Sequence, residues 1–180
     1  VSTEAPLCSL LHAGGVLRDA TVANMTHGHC DGVFAPKVHG LHNMQLMMGL
    51  SPMASGVMFS SIASLLGGVG QANYTAANAA LDAAAAVQQS IGIAGSSVQW
   101  GTWVGGGMAL RDPSTIQRAE RVGLGVVTPD VGLAVVASFM HSLAAGGSQL
   151  ETLQVGVVSP FAWSTFMRQL VGWSVFGEFA

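Results

Sequence analysis

The sequence predicts an α/β fold in which a parallel sheet is covered by helices on both faces. Three observations lead to this prediction. Short apolar runs alternate along the chain with longer segments of helical pattern, as in proteins built on parallel sheets. The apolar runs show little alternation of polar and apolar residues, which is typical of strands buried on both sides. Apolar residues make up 50% of the 180 residues and charged residues only 8%, so the chain can bury a sizeable core.

Four strands account for the apolar runs, and each run stops at glycine or at polar turn residues. Two glycines end the first run, and a second glycine-rich turn, from Gly67 to Gly70, follows the second. The third run precedes a further glycine-rich segment that begins at Gly105. The predicted strands are residues 6–15, 54–64, 95–103 and 150–158.

Five segments have helical patterns. The first has Thr26 as its N-cap, and Pro36 is expected to kink or restart it because proline removes a backbone donor. The second is rich in alanine, the strongest helix former, and Gly92 is its stop signal. In the fourth, Thr128 is the N-cap and Pro129 occupies the first helical position, which suits proline. The predicted helices are residues 26–49, 72–92, 113–123, 128–147 and 159–170.

Composition and charge argue against several classes of protein. A formal net charge of -3 gives no electrostatic basis for binding nucleic acid. No run of about 18 apolar residues is uninterrupted, so no transmembrane helix is predicted. The N-terminus lacks an initiating Met and has no basic segment before an apolar run, which argues against a signal peptide. Cys8 and Cys30 form no spaced disulfide framework, which favours the reducing cytoplasm.

Polar groups are concentrated in one stretch, SSIASLLGGVGQANYTAAN, which runs from residue 60 to residue 78. Tyr74, the only tyrosine, lies in the first turn of the predicted alanine-rich helix, with Asn78 on the same face one turn later. Ser61 lies at the carboxyl end of the preceding strand, where parallel sheets bind ligands. A phenol and a hydroxyl in that crevice can both donate to one carbonyl oxygen, and so polarise a ketone and protonate the developing alkoxide. Ser60 is the alternative serine, but it points to the other face of the strand.

Lys37 is the only lysine of the chain. A free phenol has a pKa of about 10, so a tyrosine that donates a proton benefits from a nearby cation that lowers its pKa. Lys37 lies in the helix before the Ser61 strand, an element expected to pack beside the Tyr74 helix. The alternative is that Tyr74 is a half-buried packing residue and Asn78 a solvated one, and the spacing of these residues leaves both interpretations open.

Longer motifs add to this pattern: HAGGVLRDA, PKVHG, FSSIASLLGGVGQANYTAANAALDA, WGTWVGGGMA and RVGLGVVTP. In this order they resemble the ketoreductase domain of a modular polyketide synthase, within the short-chain dehydrogenase/reductase superfamily. Ordinary members of the superfamily carry Lys four residues after the catalytic Tyr. Synthase ketoreductases have Asn there and supply the Lys from an earlier helix, and Tyr74, Asn78 and Lys37 follow that pattern. The chain resembles the C-terminal, catalytic portion of such a domain.

The resemblance implies a Rossmann-like sheet and NADPH-dependent reduction of a β-ketoacyl thioester. The substrate would be carried on the phosphopantetheine arm of an acyl carrier protein, within a polyketide (or fatty acid) synthase. Tyr74 would be the general acid, Ser61 would hold the ketone oxygen, and Asn78 would order a proton-relay water. Lys37 would bind the nicotinamide ribose and lower the pKa of Tyr74. Together with Lys37 and Tyr74, the predicted cofactor-binding residues are Ala13, Gly14 and Gly15.

The resemblance also bears on stereochemistry. Leu17, Arg18 and Asp19 stand where B-type ketoreductases have Leu-Asp-Asp, so the second Asp is kept. Leu66 stands where A-type members tend to have Trp, and both features indicate B-type facial selectivity. A mobile lid is expected over residues 104–125, and core packing is the alternative for Trp103. The residues predicted to contact or orient the substrate are Asp19, Leu66, Gln71, Trp103 and Met108.

A phosphate-binding turn is missing from the sequence. A dinucleotide needs such a turn after the first strand, yet neither G-x-G-x-x-G nor T-G-x-x-x-G-x-G occurs. By the resemblance, the chain begins at the fourth strand of the sheet. Residues 1–180 are therefore expected to form a partial ketoreductase domain that lacks the first strands of the dinucleotide-binding half, with that half upstream. The alternative function is a truncated, non-catalytic remnant that serves as a structural or docking module.

One cluster of possible metal ligands occurs in the first predicted helix. It consists of His27, His29, Cys30, His39 and His42. The spacing matches no closed zinc set, so solvated helix histidines are the preferred interpretation and no metal is predicted.

Overall fold

The computed structural model describes residues 9–48, 55–105, 114–144 and 154–170. Its elements alternate between strands and helices, so the fold is of the predicted α/β type. The strands are β1 (Ser9–His12), β2 (Ser55–Ser61), β3 (Gly95–Trp100), β4 (Thr102–Trp103), β5 (Val126–Val127) and β6 (Val155–Val158). The helices are α1 (His27–Phe34), α2 (Gly40–Met48), α3 (Ala63–Leu66), α4 (Ala72–Ser90), α5 (Ser114–Arg121), α6 (Pro129–Ala144) and α7 (Trp163–Leu170). A short 3₁₀ turn (Val22–Asn24) precedes α1, and a π-helical turn (Ala35–His39) joins α1 to α2.

Four strands form one parallel sheet in the order β1-β2-β3-β6, flanked by helices. In the pairing of β1 with β2, Ser9 lies opposite Ser55 and each later residue keeps this register. Beside β3, the Ser97 N–H donates to the Gln154 carbonyl at 2.8 Å. All four sheet strands fall inside predicted strands, so the parallel α/β prediction is confirmed.

The third strand is shorter than predicted. Residues 95–103 were expected to form one strand, but β3 ends at Trp100. After Gly101, β4 pairs with β5 in a separate two-stranded sheet. Any side chain at Gly101 would press on Ser159, whose Cβ lies only 2.9 Å from the position a Cβ would take. The Gly101 N–H still donates to the Val158 carbonyl at 2.8 Å, whereas the Val104 N–H donates to the Val127 carbonyl at 3.0 Å, so the chain passes from one sheet to the other. A two-residue strand such as β5 leaves no periodic pattern in the sequence, and the prediction missed it.

The first helical segment contains the expected disturbance at Pro36. Thr26 caps α1 as predicted, by accepting a hydrogen bond from the His29 N–H at 3.4 Å. The chain does not break at Pro36 but widens into a single π-helical turn, in which the Gly40 N–H donates to the Ala35 carbonyl. Because proline supplies no N–H, a wider turn is a low-cost way to continue the helix. Lys37 lies inside this turn.

The end of β2 also differs from the prediction. The strand was expected to run to residue 64, but it stops at Ser61 and the one-turn helix α3 follows. The Ser61 hydroxyl accepts from the Ala63 N–H at 3.2 Å, and the Ser64 hydroxyl lies 2.8 Å from the Ser61 carbonyl. These local side-chain bonds favour a turn over a continued strand. Gly67, at φ +75°, then ends α3 in a conformation that suits glycine.

α4 is the longest helix and packs one face on the sheet. Leu81 and Ala85 are completely buried on that face, together with Met58 of β2 and Leu41 of α2. Leu10 of β1 packs against the same cluster. Burying such side chains stabilises the fold by about 1.5–3 kcal/mol each. The prediction of this helix from its alanine content is confirmed.

The chain divides into two compact units, Val1–Gln99 with Ala134–Gly156, and Trp100–Leu133 with Val157–Ala180. In the second unit, α7 begins four residues later than the predicted residue 159. The reason is that residues before it bond to the turn after α5: the Gly125 N–H donates to Pro160, and the Ala162 N–H donates to Gly123. No helix in the described part of the chain is both long and apolar enough to cross a membrane.

Candidate active site

The structure brings Tyr74 and Ser61 together. Tyr74 lies in the first turn of α4 and is only 6% exposed, while Ser61 is the last residue of β2 and is half-buried. The side chain of Ser61 lies close enough to the Tyr74 hydroxyl to lower its pKa. Ser60, the alternative, donates instead to the Asn78 carbonyl at 3.2 Å. The two side chains therefore lie near each other at the carboxyl end of a parallel strand.

Lys37 reaches the same site from the π-helical turn. Its ammonium Nζ donates to the Phe59 carbonyl at 3.0 Å and lies 5.6 Å from the centroid of the Tyr74 ring. The side chain is only 3% exposed. This burial lowers the pKa of Lys37 from 10.5 to about 8, although the charge of Asp82 acts in the opposite direction.

The pKa of Tyr74 moves in the direction opposite to the expected one. Burial raises it above 10.0, while the side chains of Ser61 and Asn78 lower it and the charge of Asp19 raises it further. The sequence predicted that Lys37 lowers this pKa. Lys37 is not among the groups that shift it, and burial dominates because a phenolate loses its solvation inside the protein. Without a ligand, the site therefore keeps its phenol protonated.

Asn78 lies one helical turn after Tyr74 and is completely buried. Its amide donates to the Tyr74 carbonyl at 2.8 Å. Its Oδ1 atom has no hydrogen-bond partner among the described residues. A buried acceptor of this kind is costly unless water or a ligand satisfies it, so the Asn78 Oδ1 is available to hold a water molecule.

The predicted cofactor-binding turn lies against Lys37. A Cβ at Gly15 would lie 3.2 Å from the Lys37 Cε and 3.5 Å from its Nζ. A Cβ at Gly14 would lie 2.8 Å from the Pro36 carbonyl oxygen. Glycine at both positions lets the backbone approach the π-helical turn closely. Ala13, the third predicted residue, is exposed beside them.

The predicted stereocontrol residues are only partly brought together. Gln71 donates to the Asp19 carboxylate at 3.0 Å, and the Ala20 N–H donates to the Gly70 carbonyl at 2.8 Å. The segment containing Asp19 is thereby joined to the residues just before Tyr74. Leu66 is the last residue of α3 and is half-buried.

Of the other predicted substrate residues, one belongs to the second unit and one lies outside the described residues. Trp103 belongs to the second unit, where its ring packs edge-on against Trp100 with the centroids 5.0 Å apart. A side chain at Gly132 would overlap the Trp103 ring. Met108 lies outside the described residues, as does part of the predicted lid, residues 106–113. The remainder of the lid includes α5, which forms where a helix was predicted.

Asn73 is a residue of this site that sequence reasoning missed. Its side-chain amide is buried and donates to the Arg18 carbonyl at 2.8 Å and to the His29 carbonyl at 2.9 Å. Its Oδ1 accepts from the Tyr74 N–H at 2.8 Å. One side chain thus fixes the start of α4 to the Asp19 segment and to α1. Its position directly before Tyr74 was the only available signal.

His12 was also missed. It ends β1, is buried, and its ring Nε2 lies 2.7 Å from the Lys37 carbonyl oxygen. Burial lowers the pKa of His12 below 6.5, while the Lys37 carbonyl raises it and the Lys37 charge lowers it. The neutral imidazole positions the backbone of the turn that carries Lys37.

Among the histidines of the first helical segment, His29 has a structural contact. His29 completes the helix cap, because its Nδ1 accepts from the Thr26 N–H at 3.2 Å. Within the described ranges, no group of three or more His, Cys, Asp or Glu side chains is arranged to hold a metal ion.

Lys37 should make stability depend on pH. Between pH 8 and 10 the unfolded chain keeps the lysine proton that the folded chain has lost, since the folded pKa is about 8. The free energy of unfolding should therefore rise by about 2 kcal/mol over this range. Above pH 10 it should fall, because folded Tyr74 keeps its proton while the unfolded phenol loses it.

The measurement is denaturant unfolding at a series of pH values, for the parent protein and for Lys37→Met. The variant replaces the buried ammonium with an apolar side chain of similar length and should lose the rise between pH 8 and 10. Because other groups titrate equally in both proteins, the difference between them isolates Lys37. An equal rise in the variant would show that Lys37 is not the cause.

Comparison with known proteins agrees with this arrangement. The KR domain family profile matches residues 1–105. The chain is 39% identical over 137 residues to the spectinabilin polyketide synthase system protein NorB of Streptomyces orinoci, which covers 75% of the chain and 6% of that protein. It is 42% identical over 146 residues to the phenolphthiocerol synthesis polyketide synthase Pks15/1 of Mycobacterium marinum, which covers 77% of the chain and 7% of the relative.

A solved structure described as an A-type ketoreductase from a modular polyketide synthase is similar in fold. It superposes with a TM-score of 0.82 at 30% identity, over 94% of this chain and 34% of that one. The chain therefore spans about a third of the length of that ketoreductase. With Tyr74, Ser61, Asn78 and Lys37 placed as described and the KR family matching more than half of its residues, the chain belongs to the ketoreductase domains of modular polyketide synthases, within the short-chain dehydrogenase/reductase superfamily.

Proposed function

We propose that this chain supplies the catalytic half of a domain that reduces a β-ketoacyl thioester to the β-hydroxyacyl thioester with NADPH. The substrate is carried by an acyl carrier protein of the same synthase. The observation that carries the proposal is the Lys37 ammonium 5.6 Å from the centroid of the Tyr74 ring, with the Ser61 side chain near the Tyr74 hydroxyl at the carboxyl end of β2. Tyr74 is the only tyrosine of the chain, so this is the one place where a phenol lies beside a serine and a buried lysine.

The two hydroxyls explain how a ketone is activated. Both can donate to the β-keto oxygen, and this polarises the carbonyl where negative charge develops. As the oxygen becomes an alkoxide, Tyr74 transfers its proton to it and becomes a phenolate. Burial keeps the phenol protonated until that moment, and the nearby Lys37 ammonium stabilises the phenolate that remains. The reduced nicotinamide, when bound, supplies the hydride to the β-carbon.

The residues present fit the nicotinamide end of such a cofactor. Gly14 and Gly15 leave the space that side chains would fill beside the π-helical turn. The Lys37 ammonium at this place is suited to donate to ribose hydroxyls. The pyrophosphate, by contrast, requires a glycine-rich turn that the sequence does not contain. We therefore propose that this turn comes from the part of the domain that the chain does not cover.

Asn78 and Lys37 together can return a proton to Tyr74. The unpartnered Asn78 Oδ1 can accept a hydrogen bond from a water molecule. A water molecule held there connects the buried amide with solvent. It relays a proton to the phenolate that Tyr74 has become. A lowered lysine pKa, about 8, lets Lys37 take part in proton exchange near neutral pH.

Stereochemistry is proposed to be B-type. The support is Asp19, which is held by Gln71 next to the start of the Tyr74 helix, and the absence of Trp at Leu66. The lid proposed over residues 104–125 would cover the acyl chain, with Met108 and Trp103 as contacts, and the acyl carrier protein would deliver the substrate to it. The direction of hydride attack is read directly from the configuration of the product alcohol.

The test uses the complete domain, made by joining this chain to the remaining part of a ketoreductase domain. It is assayed with a β-ketoacyl thioester of a short pantetheine mimic and with either NADPH or NADH. We expect turnover with a strong preference for NADPH and one predominant alcohol configuration. A folded domain that binds NADPH but does not reduce the thioester would contradict the proposal and favour the non-catalytic remnant.

A further inference from the structure

Asp82 lies on the same face of α4 as the catalytic groups. It follows Asn78 by one helical turn and Tyr74 by two, so the three side chains form one line along the helix. The side chain is half-buried. The sequence alone gives no reason to single out Asp82, because an acidic residue in an alanine-rich helix is usually solvated.

Three donors converge on the Asp82 carboxylate. The Ser97 hydroxyl donates to Oδ1 at 2.6 Å, and the Gln99 amide donates to Oδ2 at 2.8 Å. Both come from β3. The third donor, the Ser64 hydroxyl, approaches Oδ2 at 2.7 Å from α3. The carboxylate therefore joins three elements of the first unit: the helix of Tyr74, the neighbouring strand and the turn after β2.

The Ser64 contact connects Asp82 to Ser61. The Ser64 hydroxyl lies 2.7 Å from the Asp82 carboxylate and 2.8 Å from the Ser61 carbonyl. A hydroxyl has a single proton to donate, and these two acceptors share it. Through Ser64, Asp82 thus stabilises the turn that places Ser61 near Tyr74.

Asp82 also balances the buried charge of Lys37. The Lys37 ammonium contacts the Phe59 carbonyl of β2 and the Tyr74 ring of α4. The His12 ring of β1 contacts the Lys37 backbone carbonyl, and the charge of Asp82 on α4 acts on the ammonium. The Phe59 carbonyl accepts from the ammonium, and Tyr74 is neutral while protonated. The Asp82 carboxylate adds a negative charge that favours the ammonium form of Lys37.

We propose that Asp82 is a positioning residue of the ketoreductase site: its carboxylate fixes the Ser61 turn against α4 and β3, and its negative charge favours the ammonium form of Lys37. This inference rests on the proposed function of Tyr74, Ser61 and Lys37. It adds a fourth polar element behind the catalytic groups, which touches neither substrate nor cofactor.

The experiment replaces Asp82 by Asn in the complete domain. The three partners can adapt to an amide, since both serine hydroxyls can rotate and Gln99 can flip, so the variant should fold. Asp82→Ser is a second neutral variant in case Asp82→Asn does not fold. Asp31→Asn, which removes an exposed carboxylate from α1, is the matched control for the loss of one negative charge.

Two quantities are measured for each variant. The first is the titration of the Lys37 side chain, followed by NMR and assigned by the loss of its signal in Lys37→Met. We expect its midpoint to move to lower pH in the Asp82 variants and to stay in place in Asp31→Asn. The second is the pH profile of reduction, in which kcat should fall about tenfold near pH 8 and less at lower pH.

The outcomes separate this inference from the proposed function. One outcome is that the parent domain reduces the thioester while the Asp82 variants keep its Lys37 midpoint and its pH profile of reduction. The role proposed for Asp82 is then refuted, and the proposed function stands. If no protein reduces the thioester but the Lys37 midpoint still moves, the proposed function fails while the electrostatic role of Asp82 holds. A uniform loss of activity at all pH values without a shift of Lys37 would indicate a purely structural role and overturn the inference.

Discussion

Replacing Tyr74 by Phe in the complete domain should lower the rate of thioester reduction by at least about a thousandfold. The substitution removes one hydroxyl and keeps the ring that packs over Lys37. Only the hydroxyl, with its transferable proton and its interaction with the Ser61 side chain, is lost. NADPH affinity should therefore change little, and the melting temperature should stay close to that of the parent. Steady-state kinetics, a cofactor titration and a thermal melt measure these three quantities.

Thr75→Val is the matched control. It removes a hydroxyl from the neighbouring residue of the same helical turn, and that hydroxyl is buried without a hydrogen-bond partner among the described residues. Its loss should leave turnover within about twofold of the parent and leave stability equal or slightly higher. Retained activity in Tyr74→Phe would refute the role of Tyr74 as general acid. Equal losses in both variants would point to a disturbed helix instead.

The second prediction concerns the 180 residues by themselves. This isolated chain should bind NADPH negligibly, because it contains no phosphate-binding turn. It should also self-associate through β1, which lies at the edge of the four-stranded sheet. Of the leucines expected to make this edge apolar, Leu11 is 51% exposed, whereas Leu10 packs on the core and Leu7 lies outside the described residues. β1 contains neither Lys nor Pro to discourage pairing.

Adding the remaining part of the domain in trans, or in one longer chain, should restore solubility and cofactor binding together. Light scattering and a NADPH titration follow the two effects. In the isolated chain, Leu11→Lys should reduce association without restoring NADPH binding, because it adds charge at the edge but no phosphate site. A monomeric, cooperatively melting isolated chain that binds NADPH at micromolar concentration would show the prediction to be wrong.

The sequence by itself determined the class of the fold and the central part of the site. The parallel sheet, the alanine-rich helix and the N-cap at Thr26 follow from hydrophobic patterning and capping, which act over a few neighbouring residues. The Ser61, Tyr74 and Asn78 group could be predicted for the same reason, since all three belong to one strand-turn-helix segment. Lys37 has no such local signal: it was singled out as the only lysine on a helix expected to pack beside the Tyr74 helix, and the resemblance then gave it a role.

Only the tertiary structure decided the rest. The break at Gly101 and the late start of α7 arise from contacts between residues far apart in the chain. The upward direction of the Tyr74 pKa depends on burial, which no spacing reveals. Asn73 and Asp82 carry their roles through partners on other elements, up to 55 residues away for Asn73. A polar side chain in a helix looks the same in sequence whether water or another element receives its hydrogen bonds, and packing alone distinguishes the two.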